Sequence, residues 1–182
     1  MPIELDVVYG GMPASPDVVI SRYAVRAVIV RGGQVLVLRS RHGDLKFPGG
    51  GVEPGETPEA ALTREIAEEC GIVRARIGEQ VVRVVERRPA QAPSTVLAMT
   101  SDYFRAFVDD APHTVATTLD AYERDLALTP TWIDAPSALR VNRTLLDGWS
   151  DDELADRAPW LPRETRVLAA LVGDDTSPVH WR

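Results

Sequence analysis

The sequence predicts a layered α/β domain built on a mixed β-sheet, with helices gathered toward the C-terminal end. Three observations carry this expectation. A Val- and Ile-rich stretch over 18–31 is followed by Gly32-Gly33 and the short apolar run Val35–Leu38, which reads as two strands joined by a tight turn. An amphipathic, capped segment follows over about 58–70. Strand-like runs near 79–86, 96–109 and 129–134 then precede helical stretches near 136–147, 151–157 and 163–173, a pattern that suits helices layered on a sheet.

Taken in order, residues 1–17, with Gly10, Gly11, Pro13 and Pro16, are expected to form an N-terminal extension or edge strand. The hairpin turn is placed around 31–34. Residues 42–56 (HGDLKFPGGGVEPGE) are rich in Gly and Pro and unusually long for a structureless connection, a length that is commonly functional. Thr57 is a natural cap for the helix that follows, Pro58 suits its first turn, and Gly71 suits the position just past its end. The 182 residues fit one domain with a proper core, and 1–182 is read as such, with 136–182 as its C-terminal helices.

Composition removes several function classes. No stretch approaches 18 consecutive apolar residues, and the N-terminus lacks the basic region and apolar run of a secretion signal. A cytoplasmic protein without membrane contact is expected. The single cysteine, Cys70, allows neither an internal disulfide nor a cysteine-based metal site, and at its helical position it reads as a small buried apolar residue. The formal charge of −7 argues against a nucleic-acid polymer as partner. It does not argue against a small phosphorylated substrate, because a bound cation can reverse the local sign. Of the 20 basic residues only Lys46 is lysine, which points to a GC-rich coding bias rather than to function.

The chemistry sits between Thr57 and Gly71. At 100° per residue, Glu65, Glu68 and Glu69 fall within an arc of roughly 100°, beside the apolar stripe Leu62, Ile66, Cys70. The carboxylates therefore line the border of the buried face. That arrangement is unfavourable by itself: like charges at i,i+3 and i,i+4 cost a few tenths of a kcal/mol per pair. Acids near a helix C-terminus cost roughly 0.3–1 kcal/mol each. Arg64 can screen Glu68 but not all three. A hard divalent cation with oxygen ligands, Mg²⁺ or Mn²⁺, would resolve the conflict.

From Gly50 the chain reads Gly, five residues, Glu56, seven residues, Arg64-Glu65-Ile66, one residue, Glu68-Glu69, one residue, Gly71-Ile72. This resembles the Nudix box at every fixed position, and Phe47-Pro48-Gly49-Gly50-Gly51 with Val52–Thr57 resembles the family's loop into the catalytic helix. Trp132-Ile133 is similar to a later family strand, so the wider fit spans about 20–135. The resemblance implies a Nudix α/β/α sandwich around a mixed sheet, with extra C-terminal helices. It implies metal-dependent hydrolysis of the phosphoanhydride of a nucleoside diphosphate linked to another moiety, with Mg²⁺ or Mn²⁺ as cofactor. Glu68 and Glu69 are implied metal ligands, Glu65 a further ligand or the group that orients water, and the Gly50 carbonyl a completing ligand. Glu56 and Arg64 are implied to form a supporting ion pair, and Gly49 and Gly51 to let the loop approach closely.

Around that box, Arg39 is the first candidate for contacting substrate phosphate, ahead of Arg22, Arg26 and Arg41. Among the later acids Asp120, Glu123 and Asp125, Glu123 is the first candidate for a general base. Tyr23, Phe47, Tyr103 and Phe104 are candidates for stacking on a base, against the commoner reading as core. His42, His113 and His180 are given no role. The signatures of the coenzyme A and NADH subgroups are not matched, and Pro89 only approaches the proline of the ADP-ribose subgroup. Oxidised nucleoside triphosphates, sugar nucleotides and dinucleoside polyphosphates all stay within the expected substrate range, and homodimerisation stays open. Two readings from other classes remain, a catalytically inactive Nudix-like nucleotide-binding or regulatory module and an isoprenoid diphosphate isomerase on the same fold, each with residues that speak against it. The intact Arg64-Glu65…Glu68-Glu69 set speaks against a binding or regulatory module that has lost catalysis, and the buried Cys70 speaks against an isoprenoid diphosphate isomerase.

Overall fold

The structure, a computed structural model, describes residues 1–90, 92–109 and 125–174. Seven strands form one sheet: β1 (Ile3–Val8), β2 (Val18–Arg31), β3 (Gln34–Arg39), β4 (Leu45–Lys46), β5 (Ala75–Pro89), β6 (Thr95–Val108) and β7 (Thr129–Asp134). Their spatial order is β1-β5-β6-β2-β3-β4, with β7 pairing β3 on its other edge. The pairs β1/β5 and β2/β6 are parallel, while β5/β6, β2/β3, β3/β4 and β3/β7 are antiparallel. The sheet is therefore mixed.

Alternation along the strands splits the core into two layers. Val25, Ala27, Ile29, Leu36 and Leu38 face helix α1 (Pro58–Cys70) and pack on Ala61, Leu62, Ile66 and Cys70. Val28, Val35, Val37, Leu45 and Phe47 face the opposite way. There they meet Ala138 and Leu139 of α2 (Ala135–Gly148) and Val167 and Leu168 of α4 (Leu161–Leu171). The short α3 (Asp151–Arg157) packs Leu154 on Ala158 and Leu161. The result is the expected α/β/α arrangement. The unbroken run Val35–Leu38 is explained by it, since a strand covered on both faces has no wet side.

Strand boundaries differ from expectation where local pattern breaks. β5 begins at Ala75, earlier than the expected 79, because its pairing with β6 shifts register between Ile77 and Gln80 and again between Gln80 and Val82. The irregularity interrupts the two-residue alternation that marks a strand in sequence. Within the Gly- and Pro-rich loop, Leu45 and Lys46 pair with Arg39 and Leu38. The hairpin turn and both caps of α1 form as expected: Thr57 Oγ1 accepts from the Ala60 N–H at 3.2 Å, and Gly71 ends the helix at φ +68°. Among the described residues, no helix is long and apolar enough to cross a membrane.

Candidate active site

Helix α1 is buried along Ala61, Leu62, Glu65, Ile66, Glu69 and Cys70, so two of its three box carboxylates are drawn into the protein. Glu65 is 8% exposed and Glu69 4%. Glu68, one step round the helix, keeps 32% of its side chain exposed. The border position read from helical spacing thus resolves into two buried acids and one half-buried acid.

The loop before the helix is stitched along the free edge of β2. Pro48 O accepts from Ala27 N–H at 2.8 Å, Gly50 O from Val25 N–H at 2.9 Å, and Tyr23 O from Val52 N–H at 3.2 Å. One glycine is required by this docking, and a second leaves room for the Glu65 carboxylate. At Gly49, with φ +134°, a Cβ would run into the Val25 carbonyl, and at Gly50 it would overlap the Glu65 carboxylate. Glu69 ties helix to loop, since its Oε2 accepts from Gly49 N–H at 2.6 Å. At the next peptide, the buried Arg26 guanidinium donates to Gly49 O.

Cations of the chain hold these carboxylates. Arg64 clasps Glu56 through Nε and Nη2, each at 3.1 Å, and its Nη1 lies 2.8 Å from Glu65 Oε1 and 3.3 Å from Glu68 Oε2. Its Nη2 also donates to Gly51 O at 3.2 Å. The hydrogen bond from Arg64 holds the Glu56 carboxyl below the usual carboxylate range, and the same bond with Glu56 raises the Arg64 pKa. Lys46 Nζ stands 2.9 Å from Glu69 Oε1, an ion pair without the alignment of a directed hydrogen bond. Glu65 is pushed up to about 7, first by burial and then by the neighbouring Glu69 charge, with Arg64 opposing.

An oxygen-only donor set, buried and carrying like charges, suits a hard divalent cation by type. Glu65, Glu68, Glu69 and the Gly50 carbonyl are the groups that could hold one. Among the described residues no three acidic, His or Cys side chains converge on one point, and Arg64 and Lys46 pair with the carboxylates instead.

Other candidates are dispersed. Arg39 is not brought to the carboxylates. Alternation along β3 turns it toward α2, where it lines a cavity with Gly43, Ser137 and Arg140, while Lys46, paired with Leu38, takes the α1 side. Glu123, Asp120, His113 and His180 lie outside the described residues. Asp125 forms an exposed pair with Arg41 at 2.8 Å. Phe47 and Tyr103 are core residues meeting edge to face, whereas Tyr23 is 37% exposed with its hydroxyl donating to Asp102. A cavity of about 400 Å³ lined by Tyr9, Arg88, Asp151 and Leu154 shares no residue with the carboxylate cluster.

Sequence reasoning missed the groups that hold the loop from behind. Asn142 of α2 clamps the Leu45 backbone, accepting from its N–H at 3.0 Å and donating to its carbonyl at 2.9 Å. Glu164 of α4 accepts from Phe47 N–H at 3.1 Å, and Trp160 Nε1 donates to Asp44 Oδ2 at 2.8 Å. These partners lie 97 to 117 residues away, so no local pattern announces them. Lys46 did leave a signal, its isolation as the only lysine.

The family model for the NUDIX domain matches residues 20–152, most of the chain, stopping short of α4. A 56-residue stretch is 48% identical to the 8-oxo-dGTP diphosphatase of Haemophilus influenzae, covering 27% of this chain and 41% of that protein. A 46-residue stretch is 52% identical to the RNA pyrophosphohydrolase of Proteus mirabilis, covering 24% of this chain and 26% of that protein. The matches thus span less than half the length of either relative. In fold, the chain is similar to the E. coli dihydroneopterin triphosphate pyrophosphohydrolase, with a TM-score of 0.53 at 17% identity over 85% of this chain and 99% of that one. With the Gly50–Ile72 pattern assembled on one loop and one helix inside the matched segment, the chain belongs to the Nudix hydrolase family.

Proposed function

We propose that this protein hydrolyses the phosphoanhydride of a nucleoside diphosphate linked to another moiety, with Mg²⁺ or Mn²⁺ as cofactor and water as the attacking group. The observation that carries this is a helix border that presents Glu65, Glu68 and Glu69, with the Glu65 carboxylate packed on Gly50 and the charges opposed by Arg64 and Lys46. Three acids gathered there, two of them desolvated, make poor structural sense without a cation to bind.

In this proposal Glu65, Glu68, Glu69 and Gly50 O hold the metal. When bound, it supplies charge neutralisation at phosphate oxygens and a more acidic water. Glu56 and Arg64 keep the loop on the helix, and Gly49 lets it lie close, whereas a side chain at Gly51 would meet open space. Glu123 is the candidate general base on its sequence position. Arg39 is the candidate phosphate contact on its sequence position, and it would act from the α2 side of β3, where it lines a cavity with Ser137 and Arg140. A small nucleotide-type substrate fits the charge of −7 better than a polymer, and a cytoplasmic setting fits such a substrate.

A panel of nucleotides with Mg²⁺ or Mn²⁺ tests this, spanning 8-oxo-dGTP, ADP-ribose, sugar nucleotides and dinucleoside polyphosphates. A nucleoside monophosphate or another phosphate monoester is the expected product, and excess EDTA abolishes its formation. Full turnover in EDTA, or a phosphorylated enzyme intermediate, would sink the mechanism.

A further inference from the structure

Lys46 is the one lysine among 20 basic residues, and its side chain is only 11% exposed. A buried ammonium needs a partner, and here that partner is Glu69 Oε1 at 2.9 Å. The two oxygens of that carboxylate are held differently. Oε2 accepts the short hydrogen bond from Gly49 N–H, whereas Oε1 receives no directed hydrogen bond and is held by charge alone. The oxygen that carries no directed hydrogen bond is thus the one that faces Lys46.

The ammonium also has a second neighbour. It lies 5.7 Å from the centroid of the Trp160 ring, whose indole N–H is anchored on Asp44 Oδ2 at 2.8 Å. An aromatic face at that distance attracts a cation, more weakly than a carboxylate does. The residue type suits a cation that must let go. Arginine presents a rigid fork that would grip a carboxylate with two bonds, while lysine is a single point charge on a flexible stem. Everywhere else the chain uses arginine, and it uses lysine here.

Building on the metal-dependent hydrolysis proposed above, we propose that Lys46 is a resident counter-ion of Glu69. It neutralises Glu69 Oε1 in the metal-free protein and withdraws toward Trp160 when a divalent cation binds, so that Lys46 sets the metal affinity of the site. An ammonium and a dication cannot share one carboxylate oxygen without strong repulsion at such short range. Metal binding therefore includes the cost of displacing Lys46.

The test compares the wild-type chain with Lys46→Met and Lys46→Arg, each stripped of metal and titrated with Mg²⁺ by calorimetry, alongside thermal unfolding of the metal-free proteins. Lys46→Met is expected to bind Mg²⁺ at least about threefold more tightly and to unfold at a lower temperature without metal. Lys46→Arg is expected to bind Mg²⁺ more weakly than wild type. Because the chain has one lysine, ¹³C-lysine labelling gives a single ε-methylene environment, which should shift as wild type is saturated with Mg²⁺; this readout stands even where the Met variant folds poorly. Mg²⁺ affinity that is unchanged or weaker in Lys46→Met, or an unmoved ε-methylene signal at saturation, overturns the counter-ion role while leaving the metal-dependent function intact. Absence of any Mg²⁺ binding by wild type overturns both.

Discussion

Glu65, Glu68 and Glu69 are neighbours on one helix and yet meet three environments. Glu65 shares the Arg64 guanidinium and lies against Gly50, Glu69 is buried between Lys46 and Gly49, and Glu68 keeps a looser contact with Arg64 at 3.3 Å. The loose contact makes Glu68 the residue at which metal binding and structural support separate most cleanly. Glu68→Gln is expected to lower kcat by at least about a hundredfold through loss of a metal ligand. The metal-free protein should stay within about 0.5 kcal/mol of wild type, because a partly exposed ion pair contributes little and a like-charge repulsion is relieved. Thermal unfolding beside the assay checks both. Retained activity with falling metal-free stability would make Glu68 a structural partner of Arg64. Helical spacing placed all three acids on the border of the buried face. Which two become buried depends on the loop that docks against them, and that contact is tertiary.

At the scale of elements, the short strap Asp44–Phe47 joins the sheet to the glycine-rich loop and is held from the C-terminal helices. Asn142 satisfies both backbone polar groups of Leu45, a residue with no exposed surface. Asn142→Ala leaves a buried donor and a buried acceptor unpaired, each at a cost of about 1–3 kcal/mol. A loss of about 2 kcal/mol or more in chemical denaturation is the expected outcome; a change below about 0.5 kcal/mol would mean that the clamp is dispensable. The loop 42–56 looked continuous in sequence because β4 is only two residues long, too short to show alternation. Helix α1 was legible to the residue because its start and stop signals are local: Thr57, Pro58 and Gly71 act on backbone groups within one turn.

Across the whole molecule, a buried charge network links α4 to the sheet and to the strap. Arg163 lies 2.6 Å from Glu86 of β5 and 2.8 Å from the adjacent Glu164, with side-chain exposures of 3%, 4% and 0%. Tyr103 of β6 donates to Glu164 at 3.1 Å, and Glu164 in turn takes the Phe47 N–H. Burial alone would lower the Arg163 pKa, but Glu86, Tyr103 and Glu164 around it raise it well above the ordinary value. Arg163→Met would strand two carboxylates in the core, and breaking a buried pair in this way costs about 3–5 kcal/mol. Urea unfolding should register that loss. A variant as stable as wild type would show that Glu86 and Glu164 find other partners. Because α4 lies beyond residue 152, this support belongs to the chain outside the matched family segment.

The sequence by itself determined the family, the α/β class, the α1 boundaries and the set of box residues, since each rests on short-range spacing along one strand, turn or helix. It could not decide which face of β3 carries Arg39, because Val35–Leu38 is apolar on both sides and offers no alternation to read. Tertiary structure decided that, turning Arg39 toward α2 and bringing Lys46 to Glu69 through the Leu38–Lys46 pairing. It also decided that Asn142 and Glu164 support the strap from about a hundred residues away. The physical reason is common to all of these. Buried polar groups must find partners wherever the packed chain provides them, and such partners are chosen by proximity in space, which spacing along the chain does not encode.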